Sequence, residues 1–247
     1  MSNIKIFYHI YCIEPTEKFV KDQINKIIFS GLYHKVKAIY CFLVGETKFI
    51  ESIKTLLTLH GKKFIIASIG YGSITYKQIL ELNKNVVIPN TEEWLMYEGN
   101  NNPHERTTLL QIKKFIKPND KILYIHSKGV TRSNHDHHAI KCILDWRNCM
   151  EYWLIYNHEQ CIKLLDKYDT VGINHIMLPK PHYSGNFWWT TAKYYNTLSD
   201  TIDYSDHINP ELYICTGNPN AKCIHNTGLQ SKLPYITPCP MSLFIDL

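Results

Sequence analysis

The chain has 247 residues, 45% of them hydrophobic and 20% charged, ordinary globular values for a length that fits one α/β domain. The net charge of +5 is dispersed without a basic arm, so nothing supports nucleic-acid binding, while small anionic ligands remain compatible. Eight cysteines lie at irregular spacings with no C-x-x-C pair, and the short N-terminal apolar run is interrupted by His9 and followed by acidic residues. The expectation is a cytoplasmic protein with reduced thiols and no transmembrane segment; oligomeric state has no sequence signature.

Ile4 to Ile10 is a β-rich run, and Pro15-Thr16 opens a helical pattern with Phe19, Val20, Ile24, Ile27 and Ile28 on one face and Gly31 as its stop. Val36 to Val44 predicts a second strand. A helix carrying Phe49, Ile50, Ile53, Leu56 and Leu57 follows, closed by Gly61, and Phe64 to Ile69 predicts a third strand. Strands alternating with amphipathic helices imply parallel pairing through right-handed crossovers, the beginning of a Rossmann-like sheet. Ligands gather at the carboxyl ends of such strands. Here those ends carry His9, Tyr11, Gly45 and the Gly70-Tyr71-Gly72-Ser73 turn, whose glycine pair fits a plain turn as well as a ligand loop.

A helix over Glu105 to Ile116, broken by Pro118-Asn119-Asp120, feeds the strand Lys121 to Ile125. That strand is almost wholly apolar and therefore central, and it runs directly into His126-Ser127-Lys128-Gly129. After a polar loop, a long helical stretch is predicted from Ala139 to Tyr168, containing Asp145-Trp146-Arg147. Thr170 to Ile173 predicts a buried strand, and a loop then leads to Ser184-Gly185-Asn186-Phe187-Trp188-Trp189. The Pro- and Gly-punctuated remainder is expected to wrap the sheet.

Five of these pieces resemble, in order and spacing, the H-[ST]-K-G glycosyltransferases and glycosyltransferase-like proteins of bacteria and large viruses. They are Glu105-x-x-Thr108-Leu109, Tyr124-Ile125-His126-Ser127-Lys128-Gly129, Asp145-Trp146-Arg147, Ser184-Gly185-Asn186-Phe187-Trp188-Trp189 and Pro210-Glu211-x-Tyr213-Ile214. A more distant similarity is to rhamnan-synthesis F-type proteins, which carry H-T-K at a comparable strand end. The resemblance implies a single GT-A-like domain with a mostly parallel sheet flanked by helices, about 1–130 gripping a nucleotide-sugar donor (UDP- or another NDP-sugar) and about 131–247 receiving a glycan or other hydroxyl acceptor. In a viral source the host cytoplasm would be its location. Most such enzymes place D-x-D where this chain has His126-Ser127-Lys128, and a charged lysine cannot ligate a divalent cation. A Mn or Mg ion is thus held by other groups, or cationic side chains take its place; no metal ligand is assigned.

Glycosyl transfer needs charge stabilisation at the leaving nucleoside diphosphate and, in inverting enzymes, a base for the acceptor hydroxyl. Lys128 and Arg147 suit phosphate oxygens, against the plainer readings of a solvated loop lysine and a helix ion pair with Asp145 or Glu151. His126 fits a diphosphate donor, a metal ligand or a strand-end cap, and Ser127 and Gly129 complete the loop, the glycine permitting close backbone approach. Tyr11 and Tyr71 are candidates for flanking the nucleobase, and Glu105 and Thr108 for ribose or base contact, with helix capping as the alternative. By analogy with inverting enzymes of this kind Glu211 is the base, with Asp145 as alternative; a first-turn acid after Pro210 is the competing account. Asn186, Trp188 and Trp189 are candidates for the acceptor side, although tandem tryptophans also suit a core. Two other functions compete: a non-catalytic nucleotide-sugar or carbohydrate-binding module that has lost D-x-D, and a metal-dependent hydrolase built on His135-Asp136-His137-His138. Consecutive residues rarely converge on one ion, which weakens the second.

Overall fold

The first strand, β1 (Ile4–Cys12), is hydrophobic on both faces because it lies inside the sheet rather than at an edge. The computed structural model describes residues 3–71, 105–130, 137–203, 205–206, 208–229 and 233–245. After β1 come α1 (Thr16–Phe29), α2 (Leu32–Lys35), β2 (Val36–Glu46), α3 (Thr47–Leu59), β3 (Phe64–Tyr71), α4 (Arg106–Phe115) and β4 (Lys121–His126). The remainder contributes α5 (His137–Glu151), α6 (His158–Leu164), β5 (Thr170–Ile173), β6 (His175–Ile176), β7 (His182–Tyr183), β8 (Trp188–Thr191), α7 (Ala192–Tyr195), α8 (Asn209–Tyr213) and β9 (Ala221–His225).

Among the described residues seven strands form one sheet in the order β3-β2-β1-β4-β8-β5-β9, and β6 and β7 form a small antiparallel pair. Strands β3, β2, β1 and β4 are mutually parallel, as the alternating pattern predicts. Strand β8 enters antiparallel between β4 and β5, placing Tyr124 opposite Trp188 and Leu123 opposite Trp189. The sheet is thus mostly parallel, with helices on both faces. One face packs Val20, Ile24 and Ile27 of α1, Ile53 and Leu57 of α3 and Trp146 of α5. The other packs Leu109 and Ile112 of α4 with Trp188, Tyr195 and Tyr213.

Two findings modify the sequence expectations. The predicted helix from Ala139 to Tyr168 is interrupted: α5 gives way to a π turn at Tyr152–Tyr156 before α6 begins. The cause is local, since both the backbone N–H and the side-chain Nδ2 of Asn157 donate to the Tyr152 carbonyl at 3.0 Å, closing a wider turn than an α-helix allows. The Pro- and Gly-rich remainder also does more than wrap the sheet, because β9 pairs with β5 as an edge strand. Beyond it a C-terminal segment, with 3-10 turns at Leu233–Tyr235 and Met241–Leu243, lies against α5.

Candidate functional site

Polar groups collect at the carboxyl ends of β1 and β4. His9 and His126 are register partners in these strands, both buried, and Ser127 Oγ accepts from the Tyr11 N–H at 2.9 Å, tying one strand end to the other. The Ser127 N–H in turn donates to the His9 carbonyl at 3.0 Å. His9 Nδ1 meets Thr108 Oγ1 of α4 at 2.9 Å. Beneath the site, Gln23 Nε2 donates to the His126 carbonyl at 3.3 Å while its other end accepts from the Tyr8 hydroxyl.

The His126 ring is fixed at both nitrogens. Nε2 lies 2.9 Å from the Gly185 carbonyl, which can only accept, so Nε2 carries the proton. Burial, aided by the Lys128 charge, pushes the ring down to about 3, so the imidazole is neutral near pH 7. Nδ1 is therefore a bare acceptor, and it stands 3.4 Å from Glu105 Oε1, a second acceptor. The other Glu105 oxygen accepts from the Tyr124 hydroxyl at 3.0 Å and from Asn186 Nδ2. Asn186 is itself held by Trp188, whose Nε1 donates to Asn186 Oδ1 at 2.8 Å. The result is a notch in which His126 Nδ1 and Glu105 Oε1 face each other at 3.4 Å.

Glu211, in the first turn of α8, accepts from the Gly185 N–H through Oε1 at 2.5 Å. Among the described residues its Oε2 receives no hydrogen bond. The Gly185-Asn186 turn that serves both carboxylates has positive φ at each residue, 90° and 55°. A Cβ at Gly185 would lie 2.5 Å from Met150 Sδ and 2.8 Å from Trp146 Nε1, so glycine is required there by space as well as by conformation.

Lys128 is half-buried, and its Nζ donates to the Tyr235 hydroxyl at 3.1 Å. Burial works against its charge, but Tyr235 and the carboxylates of Glu211 and Glu105 outweigh it and hold the amine above its ordinary value. No carboxylate of the described residues comes within ion-pair distance of it. Other sheltered cations differ: Lys5 pairs with Asp120 at 2.6 Å, Lys26 with Glu151 at 2.5 Å, and Arg147 with Asp22 at 2.9 Å. Gly129, at φ 87°, turns the chain immediately after Lys128, and a Cβ there would meet Ile143 at 2.3 Å.

Of the residues predicted from sequence, His126, Lys128, Glu105, Glu211 and Asn186 are brought together, with Ser127, Gly129, Thr108 and Tyr11 supporting them. Arg147 is buried on the α1 side, where its guanidinium meets Asp22, lies 3.4 Å from Glu151 and covers the Phe19 ring at 4.7 Å. Asp145 pairs with Lys141 at 2.6 Å. Trp188 and Trp189 are both fully buried; Trp188 stacks on Tyr124 at 4.9 Å, and Trp189 Nε1 donates to the Leu154 carbonyl. Tyr71 ends β3, with its side chain outside the described residues, as are Gly72, Ser73, His135 and Asp136. His138 bonds the Ile236 carbonyl at 2.9 Å. The sequence reading did not single out Tyr124, Gln23 or Tyr235 as site residues. Tyr124 carries a signal in hindsight, as a hydroxyl inside an otherwise apolar strand, whereas Tyr235 lies in a tail without periodicity.

Among the described residues no group of three or more His, Cys, Asp or Glu converges on a position for a metal ion. No helix among them is long and apolar enough to cross a membrane.

The fold and site together define an α/β protein of mostly parallel sheet with a charged polar notch at the strand ends. Residues 7–233 match a family described as a domain of unknown function, DUF8361, and the chain belongs to that family. No curated protein matches the chain. One similar solved structure, described as a nucleotide-diphospho-sugar transferase from Desulfovibrio desulfuricans G20, has 8% identity and a TM-score of 0.39, with 92% of this chain and 81% of that chain covered. A second, described as a 4-diphosphocytidyl-2C-methyl-D-erythritol synthase from Anaerococcus prevotii DSM 20548, has 10% identity and a TM-score of 0.40, with 91% and 87% covered. Likenesses this slight carry no argument about chemistry, which rests on the chain's own side chains.

Proposed function

We infer that this chain is a GT-A-like glycosyltransferase that moves a sugar from a nucleotide-sugar donor to a hydroxyl acceptor with inversion. The observation that carries the reading is Lys128: a sheltered ammonium at a strand end, held charged, with no carboxylate of the described residues at ion-pair distance. A charge kept this way invites an anionic ligand, and a diphosphate supplies one. Residues about 1–130 would hold the donor and about 131–247 the acceptor side.

In this reading the Lys128 ammonium and the Tyr235 hydroxyl face the donor diphosphate. The acceptor pair of His126 Nδ1 and Glu105 Oε1 takes a hydroxyl hydrogen of the donor, which relieves two facing lone pairs. Glu211 is the base, because Oε1 is anchored by Gly185 while Oε2 remains open to a proton. The acceptor oxygen bonds to the anomeric carbon as that carbon's bond to the diphosphate oxygen breaks. The acceptor proton passes to Glu211, and the charge left on the nucleoside diphosphate is met by Lys128. No step is assigned to a cation. Asn186 acts by positioning Glu105, and Trp188 by positioning Asn186.

Titration calorimetry with UDP, GDP, CDP and ADP, followed by release of nucleoside diphosphate from a donor panel with mixed glycan acceptors, tests the reading. Wild type is expected to bind at least one diphosphate, and Lys128→Met to weaken that binding by about a hundredfold, as for loss of one charged contact. Glu211→Gln keeps the bond from Gly185 and is expected to bind normally but to turn over at least a hundredfold more slowly. Binding of no diphosphate at millimolar concentration would overturn the proposal. Binding without turnover across acceptors would make the protein a nucleotide-sugar-binding module.

A further inference from the structure

The hairpin of β6 and β7 forms a sheet of its own and runs straight into the notch. It leaves β5 through Asn174 and returns through His182, Tyr183 and Ser184 to Gly185, whose carbonyl fixes His126 and whose N–H fixes Glu211. The base of the hairpin is buried: His182, Tyr183 and Ser184 are covered, and the Tyr183 hydroxyl lies 3.0 Å from Thr170 Oγ1. Its tip is the reverse. Met177, Leu178, Pro179 and Lys180 are exposed in succession, Met177 by 61% and Leu178 by 77%. The turn is nonetheless held, because His182 Nδ1 donates to the Lys180 carbonyl at 2.7 Å. Ile236, next to the Tyr235 that bonds Lys128, is 63% exposed as well. Apolar side chains thus project from two segments that border the notch, and on one of them an exposed lysine follows.

We propose that the Met177–Lys180 tip docks the protein on an anionic lipid bilayer, and that the acceptor hydroxyl is carried on the sugar headgroup of a lipid in it. Met177 and Leu178 enter the apolar layer while Lys180 meets lipid phosphate. A turn of four exposed residues is too small for a stable protein interface, which takes about 800 Å² from each partner. A fluid lipid surface accepts a small apolar tip without a matching cavity. Its phosphates also complement Lys180 and the chain's net charge of +5. Four residues separate Lys180 from Gly185, so the tip stands within about 18 Å of the turn that anchors Glu211. A headgroup layer is about 5–8 Å deep, so a tip sunk to the acyl boundary leaves the notch no more than about 13 Å above it. A lipid that bears a sugar spans that height. The docking rests on the exposed residues alone, whereas the acceptor class rests on the transferase reading above.

Co-sedimentation of the full chain tests the docking, with vesicles of phosphatidylcholine alone and of an equimolar mixture with phosphatidylglycerol. Wild type is expected to bind the anionic vesicles more tightly. Met177→Asp combined with Leu178→Asp is expected to weaken binding at least about tenfold, and Lys180→Glu about fivefold on anionic vesicles only. Phe29→Asp combined with Leu59→Asp, at exposed apolar positions on the C-terminal ends of α1 and α3, is expected to bind as wild type does. Nucleoside diphosphate affinity in solution is expected to stay within about twofold in the tip variants, because the tip lies outside the notch. Absence of vesicle binding, or an equal loss in the Phe29 and Leu59 variant, would overturn the docking. Tip variants that change only the oligomeric mass in light scattering would overturn it too, assigning the tip to a second copy of this chain. Transfer to glycolipid in vesicles is expected to fall at least about tenfold in the double tip variant, while transfer to soluble glycans is unchanged. Transfer to soluble glycans alone overturns the lipid acceptor. Vesicle binding by a protein that binds no diphosphate supports the docking and overturns the transferase reading instead.

Discussion

The neutral ring of His126 couples the site to pH. Its folded value lies at about 3, below the ordinary 6.5, because burial disfavours the imidazolium. A group depressed on folding contributes stability that is complete above its unfolded value and is lost as pH falls through the interval towards the folded one. Between about pH 6.5 and pH 3, His126 is thus expected to cost about 1.4 kcal/mol of stability per pH unit. His158, His175 and His225 are depressed by burial too and act with the same sign. Urea titrations between pH 7 and pH 5 check this, with His126→Gln, which can still donate to Gly185, expected to show a shallower decline; an unaltered slope would remove His126 as a contributor. The sequence showed that a histidine stands at a strand end. It could not show that the ring would be neutral, because neutrality comes from burial and the nearby Lys128 charge, both set by the fold.

Among the elements, the Gly185-Asn186 turn and the α1–α5 contact carry the sharpest expectations. Gly185→Ala places a Cβ against Met150 and Trp146 at a φ of 90°, so a loss of about 2–4 kcal/mol is expected in equilibrium denaturation. Arg147→Met leaves Asp22 and the fully buried Glu151 with Lys26 as their remaining cation, and a loss of about 3 kcal/mol is expected. If Arg147 acts only there, diphosphate affinity in this variant stays within about threefold of wild type, a separation that calorimetry can read. Sequence periodicity was a sound guide to α1, α3, α4 and the first four strands, where apolar spacing and Gly31 or Gly61 set the limits. It failed at Asn157, because a side chain that competes for a backbone carbonyl leaves the apolar spacing on either side intact.

At the scale of the whole molecule, the five polar groups of the site come from four separate stretches of chain, at Glu105, His126–Lys128, Asn186 and Glu211, which strands, helices and a turn together bring into one place. The resemblance motifs picked out Glu105, His126, Lys128, Asn186 and Glu211 because they are short and ordered; Tyr235 escaped because no pattern marks its segment. The suggested division near residue 130 has a direct test, since β4 hydrogen-bonds to β8 across it and Trp189 stands opposite Leu123. Separately expressed 1–130 and 131–247 are expected to show no cooperative unfolding and to regain it on mixing, by calorimetry; independent cooperative melting of either half would make it a domain.

The antiparallel entry of β8 also fixes a timetable for synthesis. Strand β4 leaves the ribosome well before Trp188–Thr191, and at about 5–20 residues per second its outer edge stays unpaired for about 3–12 seconds. During that interval an apolar strand presents open backbone groups to any other nascent chain. The central position of Lys121–His126 in the finished sheet therefore also makes it an exposed edge while the protein is being made.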